Sequence, residues 1–224
     1  MTPEARAWHP PDLSPTDPTR IPAMNGSRLL VQPRHVAEAD AVRAFLDRPR
    51  PAAMEIGFDH GMCLVDRARA FPDTLQLGVE IREARVRALQ PHLPANAHAW
   101  RVDARSALLS VVPDRRLSVI YVLFPDPVWK EALRHRHLLF SPAFTTLCAR
   151  ALAPDGILHV ATDVQPYFAF VGSLLGNWIP ADPPRMGAEL SRRERVCKRD
   201  GVPIHRGSWR APIRLDEQGK RTHA

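Results

Sequence analysis

A doubly wound α/β fold, with a mostly parallel sheet and helices on both faces, is the class this sequence predicts. Three observations carry it. Apolar runs suited to strands alternate with helical patterns from residue 52 to residue 178, and that alternation implies parallel pairing through right-handed crossovers. Several of the runs end in a turn that carries a carboxylate, and open sheets bind ligands outside the carboxyl ends of their strands. Finally, 224 residues, 45% of them apolar, suit one domain with a sizeable core and an arm.

The elements follow in order. Residues 1–27 contain Pro3, Pro10, Pro11, Pro15, Pro18 and Pro22 and few apolar side chains, so they read as a mobile or extended arm. One domain is expected over 28–215, with a basic tail over 216–224. Helical spacing with an acidic start marks 35–47. AAMEIGF (52–58) reads as a buried strand, and MCLVDRARAF (62–71) as a helix closed by Pro72. LQLGVEI (75–81) is a strand, 83–93 a helix broken late by Pro91, and AHAWRVD (97–103) a strand. A short helix is expected over 104–112, and LSVIYVLF (117–124), the most apolar run, is the expected central strand. Ser141 followed by Pro142 is a helix start, with an N-cap hydroxyl and a proline at the first helical position. That helix continues to 152, a turn follows at 154–156, then a strand at 157–162 and a helix over 164–178. From 183 onward the chain reads as irregular, supplying final strands and a tail.

The charge is unevenly placed. Residues 185–224 carry 11 Lys/Arg against 5 Asp/Glu, whereas the preceding 184 carry 20 against 19. The C-terminal stretch is therefore a basic patch suited to a polyanion such as nucleic acid, or else a solvated tail. Cys63, Cys148 and Cys197 are odd in number and far apart, which argues against a disulfide framework or a metal site. His135 and His137, in a short basic cluster with Arg134 and Arg136, are a weak metal signal on their own. No apolar run approaches membrane-spanning length and the N-terminus has no apolar leader core, so a soluble, cytoplasmic protein with no metal is expected. A monomer is the expected state.

Chemistry concentrates at the strand ends. Glu80, Asp103, Asp126 and Asp163 fall at or just past them, and Glu55 lies within the first strand. In a doubly wound sheet the four strand-end acids would line one crevice. Glu80 lies about 20 residues beyond the glycine turn G-F-D-H-G (57–61), where nucleotide folds place the acid that takes ribose hydroxyls. Asp126 stands between Pro125 and Pro127, which stiffen its loop. Neither a phosphate loop of the G-x-x-x-x-G-K-[ST] type nor a G-x-S-x-G elbow is present, so nucleotide hydrolysis and serine-hydrolase chemistry are not expected.

EIGFDHG (55–61), GVE (78–80), Asp103 with Ala104, FPDPVWK (124–130), TDVQPY (162–167) and Ser191 to Glu194 occur in this order. Together they resemble the motif series of the bacterial tRNA (guanine-N7-)-methyltransferases, over about residues 53–200. The resemblance implies a Rossmann-like class I methyltransferase with a seven-stranded sheet and S-adenosylmethionine as cofactor. It implies methyl transfer to N7 of a guanine in the tRNA variable loop. Carried over by position, it implies cofactor contacts at Glu55, Gly57, Gly61, Glu80, Asp103, Ala104 and Asp126, with Asp126 as the catalytic acid residue. It implies substrate contacts at Lys130, Asp163, Ser191, Arg192, Arg193 and Glu194.

The chain also departs from the family pattern. Asp59 stands where the family has the middle glycine of the turn, Val128 where it has a tryptophan, and Ser191 where it has a threonine. The family's basic stretch has become LRHRHLLF at 133–140. Asp tolerates left-handed backbone better than most residues. Its charge, at ~4 Å from a cofactor carboxylate, would cost about 1 kcal/mol in water and about 4 kcal/mol near a protein surface, unless His60 or a basic residue offsets it. Two other readings therefore stand beside the first: a tRNA- or cofactor-binding relative with weakened catalysis, and a methyltransferase with a different acceptor.

Overall fold

The computed structural model describes residues 8–9, 33–215 and 221–223. Helix α1 (Pro33–Leu46) leads into β1 (Ala52–Ile56), α2 (Met62–Ala70), β2 (Leu75–Glu80), α3 (Glu83–Leu89), β3 (Ala97–Arg101), α4 (Ala104–Ser110) and β4 (Leu117–Leu123). Then come α5 (Glu131–His137), α6 (Pro142–Ala151), β5 (Leu152–Thr162), α7 (Gln165–Leu174), β6 (Ile179–Pro180), α8 (Arg192–Asp200) and β7 (His205–Arg210). Strands β8 (Ile213–Leu215) and β9 (Arg221–His223) form a separate two-stranded sheet.

The main sheet has seven strands in the order β3-β2-β1-β4-β5-β7-β6. The pairings from β3 through β5 are parallel, and β7 runs antiparallel to both β5 and β6. β1 and β2 are buried at every position, as strands covered on both faces must be. Strand side chains alternate between the faces. One set, including Met54, Leu77, Ile120 and Leu158, joins the large core under α1, α4, α6 and α7. Phe58, Leu64, Val86, Leu89 and Ala99 form a smaller core with α2 and α3 on the other face. Chain order reverses between β1 and β4, and a doubly wound sheet opens its ligand crevice at that reversal.

The second face also carries a polar row at a single register. Glu55 pairs with Tyr121, Tyr121 with His159, and His159 with Ser208 across β1, β4, β5 and β7. All four are buried. His159 Nδ1 lies 2.8 Å from Ser208 Oγ. Burial, reinforced by the nearby Arg206 and Arg67 charges, pulls the His159 imidazole down to about 4, so it is neutral at physiological pH.

Four expectations need correction. The stretch from 183 onward is not uniformly irregular: α8 is a nine-residue helix, capped by Ser191 Oγ, which accepts from the Glu194 amide at 3.1 Å, and closed by Gly201 at φ 66°. A Ser-x-x-Glu pattern is itself a helix-start signature, so the signal was present in the sequence. β5 starts at Leu152 rather than 157, passing through the expected turn, and α7 ends at Leu174 rather than 178. Of the stretch 1–27 only Trp8 and His9 are described, and Trp8, 3% exposed, belongs to the large core. The rest of that arm and most of the 216–224 tail lie outside the described residues.

Candidate active site

The turn after β1 shapes the floor of the crevice. Gly57 (φ 72°), Asp59 (φ 51°) and Gly61 (φ 73°) all take the left-handed backbone. Gly61 has a second reason to be glycine: a Cβ there would come within 2.3 Å of Leu89 Cδ2 in the small core. The Gly57 amide donates to the Val79 carbonyl at 2.8 Å, tying the turn to β2. A cleft of about 530 Å³ opens above it, lined by Gly57, Gly61, Glu80, Asp103, Ala104 and Asp126 among others.

Two of the acids share one local device. Glu80 ends β2 and is 4% exposed. Its Oε1 accepts from the Arg82 amide and Nε, both at 3.0 Å, and its Oε2 from Arg82 Nη2 at 3.0 Å and the Asp59 amide at 3.2 Å. A carboxylate has about four acceptor positions, and here all are in use. Burial pushes Glu80 up, but the Arg82 hydrogen bonds and charge outweigh it and leave the carboxyl below its ordinary value. Asp103 repeats the pattern at the end of β3. It caps α4 through the Arg105 amide at 2.9 Å and binds Arg105 Nε at 3.1 Å and Nη2 at 3.0 Å. In each case an arginine two residues past a strand-end acid folds back onto it.

Asp59, in the glycine's place, sits beside two guanidinium groups. Arg82 Nη2 reaches its Oδ1 at 3.0 Å and Arg85 Nε at 3.3 Å, with His60 Nε2 3.7 Å from Oδ2. Its charge is thus met locally, as the sequence reading required of a basic neighbour.

Glu55 lies deeper. It lines the cleft and forms a buried ion pair with Arg67 of α2. Burial raises the Glu55 carboxyl while the Arg67 charge opposes the shift, so the pair titrates as a unit. Arg67 is 1% exposed, and its Nε and Nη1 have no hydrogen-bond partner. Its guanidinium instead lies 4.1 Å over the Tyr121 ring, a cation–π contact that a desolvated arginine can use.

The opposite wall is built differently. Asp126 is exposed on the 124–130 loop, and its Oδ1 accepts from the Val128 amide at 2.8 Å. Phe124 and Val128 both stand at φ 53°. Left-handed backbone is an outlier for a β-branched residue, and such strain costs on the order of 1–3 kcal/mol per residue. Val128 is buried and Trp129 is 48% exposed, so the loop turns the valine inward and the displaced indole outward. Lys130 is exposed beside it and is not among the cleft-lining residues. Asp163 follows β5 and is ion-paired with Arg193 of α8. Ser191, Arg192 and Arg193 line the cleft, Asp163 reaches it only through Arg193, and Glu194 turns away to Arg206 at 2.6 Å and Lys198 at 3.8 Å. His137 and His60 also line the cleft, and neither was singled out from the sequence as a site residue. Among the described residues no group of three or more His, Cys, Asp or Glu could hold a metal ion, and no helix is long and apolar enough to cross a membrane.

With this geometry established, likeness to known proteins decides the family. A family model described as "Putative methyltransferase" matches residues 49–177. The tRNA (guanine-N(7)-)-methyltransferase of Sodalis glossinidius is 36% identical over 182 residues, covering 74% of this chain and 73% of that one. The chain belongs to the tRNA (guanine-N7-)-methyltransferase family. The enzyme of the same name from Methylococcus capsulatus is 31% identical over 182 residues, 80% of this chain and 73% of the relative. That from Chromohalobacter salexigens is 34% identical over 137 residues, 59% of this chain and only 55% of the relative. Among solved structures, the aminoglycoside resistance methyltransferase NpmB1 superposes with TM-score 0.54 at 17% identity, over 76% of this chain and 92% of that one. The 16S rRNA methyltransferase KamB gives TM-score 0.50 at 18% identity, over 77% and 92%. These likenesses support the Rossmann-like class I methyltransferase fold that the family implies.

Proposed function

We propose that this member of the family transfers a methyl group from S-adenosylmethionine to N7 of a guanine in the variable loop of tRNA. The observation that carries the reading is convergence: Glu80, Asp103 and Asp126, on three separate strand ends, line one cleft at the reversal of the sheet. The donor set suits the cofactor. Strand-end carboxylates accept from ribose hydroxyls and amines, Glu80 by exchanging Arg82 donors for those of the ligand, the glycine turn admits close backbone approach, and Val79, Val102 and Leu123 supply apolar wall. The volume lies within the range of small-molecule sites.

S-adenosylmethionine supplies an electrophilic methyl group. Guanine N7 offers an in-plane lone pair and carries no proton, so no base is required before attack. The purine gains positive charge as the bond forms. Asp126, exposed at the cleft edge, we assign to the purine rather than to the cofactor: it is placed to favour that charge and to accept the guanine N1–H and amino protons. Paired contacts of that kind discriminate between bases by ~1–3 kcal/mol. Positioning supplies the remainder. On α8, Arg192 and Arg193 line the cleft and Arg195, Lys198 and Arg199 are exposed further along the same helix, a surface suited to phosphates through a salt-sensitive, sequence-blind attraction. The reading with weakened catalysis loses one of its two motives, the Asp59 charge, where Arg82 and Arg85 meet it.

The test is nucleoside analysis of unmodified tRNA incubated with protein and cofactor. N7-methylguanosine is the expected product. Its absence, or a methyl on another atom, base or acceptor, sinks the assignment.

A further inference from the structure

The loop that carries Asp126 is held from outside the sheet. Trp8, 119 residues away in sequence, donates its indole N–H to the Pro127 carbonyl at 2.7 Å. Arg134 of α5, itself buried, takes the next two carbonyls, Val128 through Nε at 3.1 Å and Trp129 through Nη2 at 3.3 Å. Its Nη1 donates to the His9 carbonyl at 2.8 Å, and its guanidinium lies 5.3 Å over the Trp8 ring. Trp8 in turn packs edge-on against Tyr167, centroids 5.3 Å apart, and against Phe170 at 5.6 Å. Three successive loop carbonyls are thereby drawn inward while the Val128 amide turns to Asp126.

We propose that Trp8 and Arg134 form a clamp that presets the strained 124–130 loop, making the N-terminal segment a positioning element for Asp126. Left-handed backbone at Phe124 and Val128 persists only where the surroundings over-determine it, and the clamp supplies those surroundings. Cofactor-side residues on β2 and β3 make none of these contacts. Releasing the clamp therefore slows turnover while leaving cofactor affinity intact. The inference rests on the methyltransferase reading for its kinetic arm but not for its structural one.

The test uses the full chain with Trp8→Phe, which keeps an aromatic ring and removes the N–H donor, and with Arg134→Lys as a second variant should the first fold poorly. In hydrogen exchange read by mass spectrometry, the peptide spanning 124–131 should exchange about tenfold faster in either variant, with β2 and β3 unchanged. In methyl transfer to tRNA, kcat should fall roughly tenfold to a hundredfold, while the calorimetric Kd for S-adenosylmethionine stays within about twofold. Unchanged exchange at 124–131 overturns the clamp whether or not the enzyme is active. A parallel loss of cofactor affinity and kcat also overturns it, because that pattern reports general unfolding. Wild type that binds cofactor but modifies no tRNA refutes the assigned reaction alone, and the exchange result then decides the clamp by itself.

Discussion

The two walls of the cleft are made in contrasting ways. On the β2–β3 wall, Glu80 and Asp103 are buried and each is gripped by an arginine two residues further along the chain. Across from it, Asp126 is exposed on a strained loop, and the groups that hold that loop come from Trp8 and Arg134. The first wall is set by short-range sequence and needs only its strands to form. The second depends on segments far apart in sequence meeting correctly, so it is the wall on which substitutions can change chemistry without disturbing cofactor binding.

The sharpest way to break this contrast is Asp126→Ala. Methyl transfer to tRNA should fall by about a hundredfold or more, with calorimetric affinity for S-adenosylmethionine little changed; retained turnover would show that the exposed wall is not where charge is met. Next comes acid. The His159 imidazole drops from 6.5 to about 4 on folding, so the unfolded chain binds the extra proton between those values. The associated stability is complete above pH 6.5 and is lost as pH falls toward 4, on the order of 3 kcal/mol over the window. Urea unfolding at pH 7 and pH 5 should show the loss, and His159→Asn should flatten it.

Glu80→Gln tests the buried wall. Loss of a charge-assisted hydrogen-bonding centre should weaken cofactor binding roughly tenfold to a hundredfold, with kcat at saturating cofactor nearly preserved. A matching fall in kcat would erase the distinction between the walls. Arg192→Ala and Arg193→Ala should each weaken tRNA binding evenly across tRNA species and lower the salt slope by about one. Smallest of all, Asp59→Asn should change cofactor affinity by less than about threefold, since Asp59 and Arg82 are both substantially exposed and exposed pairs contribute little.

This contrast also explains what could be read from the chain alone. Strand alternation, the glycine turn and the acids at strand ends are local patterns, so β1 through β5 and the placement of Glu80 and Asp103 followed from residues 52–162. The fold-back of Arg82 and Arg105 was equally local and could have been seen as an acid-x-Arg repeat. Helix α8 was hidden because its residues are nearly all charged, with only Cys197 buried. Apolar periodicity cannot report such a helix, and only the Ser191 cap and Gly201 stop betray it. The partnership of Trp8 with Pro127 had no local signal at all. A proline-rich segment reads as unstructured, and a single buried indole within it is set by tertiary packing alone.

The fold-back arginines have an electrostatic consequence at longer range. Five carboxylates gathered around one opening would repel an approaching polyanion. Here Glu55, Glu80, Asp59, Asp103 and Asp163 are met in turn by Arg67, Arg82, Arg85, Arg105 and Arg193, so at distances beyond a Debye length these five acids present little net field. What an incoming strand of phosphates senses first is the surplus of cations along α8, and the acids disclose themselves only after contact has been made.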